Sequence, residues 1–140
     1  MIKMAVCVLL GATSMIALGA EVRLQVSSQQ GAPLEQAVVA LVPEQSVTFE
    51  SQPEAMMDQR DRQFEPHVLA VQQNTKVRFP NSDDIRHHVY SFSPAKTFEL
   101  RLYHGATAEP VVFDKPGRVV LGCNIHDAML GYIYVLETPW

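Results

Sequence analysis

Short runs in which apolar and polar residues alternate, cut roughly every ten residues by turn-forming residues, constrain this chain more than any other feature. Residues 22–26, Val-Arg-Leu-Gln-Val, alternate strictly, and residues 27–33, with Gly31, supply a turn. Residues 37–42 read as a second, more buried strand. Further strands fit residues 68–71, 76–79, 87–92, the alternating Phe98, Leu100 and Leu102, and then 110–113, 119–123 and 132–136. Nine prolines and seven glycines leave few long helix-forming runs. This spacing predicts an all-β antiparallel sandwich of about seven or eight strands with Greek-key connections. Residues 44–66 break the pattern, being polar and irregular except at Val47-Thr48-Phe49. Met56-Met57 with the charged residues after them fits either one short helix or an excursion between strands.

With 140 residues, of which 47% are hydrophobic and 19% charged, the chain has enough apolar material for one core, which excludes a mainly disordered protein. Residues 1–20 have the layout of a secretory signal peptide. Lys3 supplies the positive start, residues 4–18 are apolar apart from Thr13 and Ser14, and small residues precede Glu21. The apolar stretch is short for a membrane span, so an uncleaved anchor is the lesser alternative, and stable membrane insertion is not expected after cleavage. A single exported, periplasmic domain over residues 21–140 is the expectation. Cleavage removes Lys3 and Cys7, leaving 10 basic against 15 acidic residues and one cysteine, Cys123. An acidic surface makes a nucleic-acid partner improbable. In an oxidising compartment a lone cysteine is a buried inert thiol, half of an intermolecular disulfide, or a metal ligand.

Cys123-Asn-Ile-His126-Asp-Ala-Met129 decides between these. A short loop between two strands lets a thiolate, an imidazole and a thioether converge, which a continuous strand forbids because its side chains alternate faces. These soft and borderline donors select copper over harder ions. A second histidine would complete the His₂Cys trigonal site with a weak axial methionine. Residues 81–92, Asn-Ser-Asp-Asp-Ile-Arg-His-His-Val-Tyr-Ser-Phe, offer two candidates, His87 and His88, where a loop enters a strand.

Together the two segments resemble the copper-binding half of the cupredoxins, the plastocyanin and amicyanin superfamily. N-x-D-x-x-x-H-x-V at residues 81–89 is similar to the first-ligand segment, and C-x-x-H-x-x-M at 123–129 to the amicyanin ligand loop. More narrowly, they resemble exported bacterial proteins labelled methylamine utilisation protein or plastocyanin-like, although no residue here encodes a substrate. A weaker likeness joins the Gly-Ala-Pro-Leu run at residues 31–34 to the opening hairpin of β-sandwich modules similar to carboxypeptidase regulatory domains.

The cupredoxin resemblance implies one mononuclear copper ion held by His87, Cys123 and His126 with Met129 axial. Ile125 stands where plastocyanin and amicyanin have proline, and His88 where they usually have asparagine. Alternation argues the other way for the histidines, since His88, Tyr90 and Phe92 share the more apolar face; the motif favours His87. Asn81 and Asn124 are candidates to orient the ligands, Asp83 and Asp84 to cap a turn, and His67 and His104 are read as surface residues. The function implied is a one-electron carrier, not an enzyme. It docks transiently with redox protein partners (a dehydrogenase, cytochrome or oxidase) through an apolar rim at Ala128 and Leu130 around His126. Two alternatives stay open: a copper storage or delivery protein that recruits Met56 and Met57, and a metal-free binding module.

Overall fold

The computed structural model describes residues 22–45, 47–50, 53–106 and 109–139; the signal-peptide segment lies outside them. The chain divides into two compact units at Pro33 and Leu34. In the first, residues 27–33 close a turn through a bridge between Ser27 and Pro33. Gly31, at φ 82°, donates its N–H to the Ser28 carbonyl at 2.9 Å. The strand expected at residues 22–26 does not form, nor does the one at 37–42 in the second unit. Val22, Leu24, Val39 and Val42 are exposed. Alternation makes a strand only where a sheet accepts the apolar face, and a strand without neighbours has no independent stability.

Among its described residues the second unit is all β. Its ten strands are β1 (Glu54–Met56), β2 (Asp58–Arg60), β3 (Gln63–Glu65), β4 (Val68–Gln72), β5 (Thr75–Arg78), β6 (His87–Ser93), β7 (Lys96–Tyr103), β8 (Val111–Phe113), β9 (Gly117–Gly122) and β10 (Leu130–Leu136). The count exceeds the seven or eight expected because residues 54–65 form three short strands and no helix. Met57 and Phe64 are buried there, and β1 joins β5 in parallel. Five strands form the larger sheet in the order β4-β10-β9-β6-β7. Three form the smaller, β1-β5-β8, and β2-β3 is a separate hairpin. The architecture is a cupredoxin-like sandwich. Val77 and Phe113 from the smaller sheet and Val89, Val119, Leu121 and Ile133 from the larger meet in one core, each side chain contributing about 1.5–3 kcal/mol by leaving water.

Strand β6 carries the histidine pair. Its His87, Val89 and Ser91 are fully buried, while Phe92 is 79% exposed. The more apolar face of this strand by composition is therefore not its core face. Between His87 and Val89 the register with β7 slips, His87 opposing Tyr103 and Val89 opposing Leu100. A bulge of this kind re-aims a side chain at the end of a strand.

Candidate metal centre

Strand pairing brings the two informative segments together. β6 and β9 run antiparallel with Tyr90 opposite Gly122, so the start of β6 and the end of β9 lie at one end of the sheet. His87 opens β6, and Cys123 comes directly after the last residue of β9. From Cys123 the chain turns through residues 124–129 into β10, and the Met129 N–H closes the turn on the His126 carbonyl at 2.8 Å.

One donor atom each from His87, Cys123 and His126 lies within 4.8 Å of the others. Cys123 Sγ is 3.9 Å from His87 Nδ1, and the His87 and His126 rings are 5.0 Å apart at an interplanar angle of 60°. For comparison, metal–thiolate and metal–imidazole bonds of ~2.3 and ~2.0 Å at an angle of ~120° separate the two donors by ~3.7 Å. A single ion fits between them. His126 Nδ1 is buried and has no hydrogen-bond partner, the condition of a lone pair kept for a ligand. Cys123 is buried and free, and neither an exposed thiol nor a disulfide. Met129, also buried, belongs to the same core cluster.

His88 is aimed elsewhere. Its Nε2 lies 2.9 Å from Glu99 Oε1, and its ring packs on Tyr90 at 5.6 Å. The three donors that converge are therefore those of His87, Cys123 and His126; alternation points to His88 because the more apolar face of β6 is its outer one.

Around the donors several polar groups are paired, although Gln59 Oε1 and His88 Nδ1 are, like His126 Nδ1, buried without a partner. Asn81 accepts the Asp83 N–H at 3.1 Å and donates through Nδ2 to the Ile85 and Tyr103 carbonyls, both at 2.9 Å, which pins the loop before His87. Asn124, its counterpart in the other loop, is exposed. Tyr103 donates to the Phe79 carbonyl at 2.6 Å and accepts from Gln59 Nε2. Burial, above all, raises its pKa over the ordinary phenol value. Asp83 does cap a turn, and it also touches His87: its Oδ2 is 2.6 Å from Nε2. Burial pushes the Asp83 carboxyl up, but bonds from the His87 ring and from the Arg62 and Asp61 amides outweigh it and hold the pKa below the ordinary carboxylate value. The four-residue spacing from Asp83 to His87 was the one available signal for this contact. His104 is exposed, and His67 packs edge-on to Tyr132 at 5.4 Å.

No family model and no curated protein matches the sequence. Solved structures do resemble the fold. A reduced Cu(I) form of a mutant amicyanin superposes with a TM-score of 0.54 at 18% identity, over 61% of this chain and 84% of that one. A purple cupredoxin from Nitrosopumilus maritimus gives 0.53 at 19% identity, over 59% and 99%. A Cu-containing nitrite reductase from Thermus scotoductus SA-01 gives 0.56 at 24% identity, over 76% of this chain but 27% of the reductase.

Proposed function

We propose that the protein is an exported one-electron carrier with a mononuclear copper centre, which His87, Cys123, His126 and Met129 would hold. The convergence of one thiol and two imidazoles within 4.8 Å, from segments 36 residues apart, carries this reading. The donor chemistry selects copper, and the copper-bearing neighbours of the same fold support that choice. Bound there, copper would supply a +1/+2 couple.

The chain's contribution is preorganisation. Cys123 and His87 sit on the ends of two paired strands, so their separation is fixed before any ion arrives, and little need move when an electron does. His87 Nδ1 is oriented by the hydrogen bond at Nε2. His126 is half-buried, beside exposed Ile125, Ala128 and Leu130, an apolar rim suited to brief docking with redox proteins. The signal-like residues 1–20 support a periplasmic location. Storage through the methionine pair finds less support, because Met56 is exposed while Met57 is packed in the core. The nitrite reductase likeness reaches only 27% of that chain, so its enzymatic activity is not carried over.

The absorption and EPR spectra of the copper-loaded mature protein test the proposal. An intense thiolate-to-Cu(II) band near roughly 600 nm is expected, absent in Cys123→Ser. A copper(II) protein without that band would refute the carrier; a colourless protein holding only Cu(I) would favour storage. Met129→Leu should keep the band and raise the potential, since losing a weak donor disfavours Cu(II); an unchanged potential would remove Met129 from the ligand set.

A further inference from the structure

The hairpin β2-β3 contributes no metal ligand, yet its turn reaches the centre. Asp61 and Arg62, at φ 53° and 59°, are consecutive left-handed residues, a two-residue turn that suits hairpin twist but costs non-glycine residues about 1–2 kcal/mol each. Both of their N–H groups point at one carboxylate: Asp61 donates to Asp83 Oδ1 at 2.6 Å and Arg62 to Oδ2 at 3.0 Å. The same Oδ2 faces His87 Nε2 at 2.6 Å. An ionised carboxylate only accepts, so the proton of neutral His87 sits on Nε2 and the Nδ1 lone pair is left facing Cys123 Sγ.

Hairpin and ligand loop are laced together below this point. Gln59 donates its N–H to the Pro80 carbonyl at 3.1 Å, Ser82 returns its N–H to the Gln59 carbonyl at 2.9 Å, and Ser82 Oγ donates to Asp58 Oδ2 at 2.7 Å. The turn amides therefore cannot drift from the carboxylate without breaking three other bonds. Asp83 stands as a fixed anion behind one of the imidazoles.

We infer that Asp83, clamped by the 61–62 turn, is a positioning residue: it sets the tautomer and ring orientation of His87, and its negative charge lowers the reduction potential of an ion bound at Nδ1. The tautomer half is independent of copper; the potential half rests on the copper reading above. A carboxylate behind a ligating histidine raises that ligand's basicity, and losing such a partner typically weakens metal binding 10–100-fold. Negative charge also favours the more positive oxidation state, so its removal must raise the potential.

Two measurements test this. In ¹⁵N-labelled metal-free wild-type protein at about pH 8.5, where an ordinary imidazole is neutral, long-range ¹H–¹⁵N spectra should show His87 as the Nε2–H tautomer. An Nδ1–H tautomer would overturn the inference without any variant. In the copper-loaded protein, Asp83→Asn should weaken copper binding about tenfold. It should also shift the Cu(II)/Cu(I) equilibrium about tenfold towards the reduced form, which is ~59 mV for one electron. Asp84→Asn removes the same charge one residue along, from an exposed side chain, and should shift it less. A folded Asp83→Asn protein with unchanged affinity and potential, or one matched by Asp84→Asn, would overturn it. A wild-type protein that takes up no copper would refute the carrier and with it the potential half, while the tautomer still reports on the Asp83–His87 pair.

Discussion

His87 and His88 are neighbours in the chain, are equally competent metal ligands, and are 0% and 6% exposed. Across β6 they part. His87 shares its face with Val89 and Ser91, all fully buried, and looks at a thiol with an anion behind it. His88 begins an aromatic row that continues through Tyr90 and Phe92, with ring spacings of 5.6 and 5.3 Å, and bonds a half-exposed glutamate. The more apolar residues lie on the outer face, and the smaller and more polar ones line the core. Side-chain chemistry alone does not say which face of a strand is inside. The opposing sheet does, because its Val77 and Phe113, with Phe79 just after β5, share one core with Val89.

That asymmetry can be broken by substitution. The largest effect is expected from His87→Ala, which should weaken copper binding by more than about 100-fold, beyond what an outer partner costs, while His88→Ala stays within about tenfold. Competition titration against a copper chelator would decide it, and equal losses would erase the distinction between the faces. Next, Val89→Ala should lower stability by about 2 kcal/mol, by lost burial plus a cavity, whereas Phe92→Ser changes it by less than about 0.5 kcal/mol. Urea midpoints compare the two directly. The finest test concerns Gly122, where an added Cβ would lie 2.8 Å from the Tyr90 ring and hydroxyl. Gly122→Ala should cost about 1–2 kcal/mol by displacing Tyr90. A double-mutant cycle with Tyr90→Ala should recover about 1 kcal/mol of coupling; additive costs would mean the outer face is not packed there.

Much of the sandwich was legible in advance. From residue 68 onward every strand read from alternation is present, since both sheets bury a face and period two is then obligatory. Alternation at residues 22–26 and 37–42 misled for the converse reason, because those apolar side chains remain exposed. Residues 54–65 concealed three short strands because polar groups such as Gln59 and Asp58 are buried there by hydrogen bonds, which hydrophobic pattern cannot register. At the centre, the C-x-x-H-x-x-M and N-x-D-x-x-x-H spacings pointed to the two segments that converge and the motif favoured His87 over His88, whereas the grip of the 61–62 turn on Asp83 left no signal in the sequence.

Within these 140 residues, donor identity and local spacing are covalent facts, so the amino-acid order alone determined that a thiol, an imidazole and a thioether share one short turn. Tertiary structure decided which histidine meets the thiol and the other imidazole and what stands behind it. Those outcomes depend on which face of β6 the opposing sheet covers and on a hairpin turn packed from 22 residues away, and contacts between distant segments exist only once the sheets have closed.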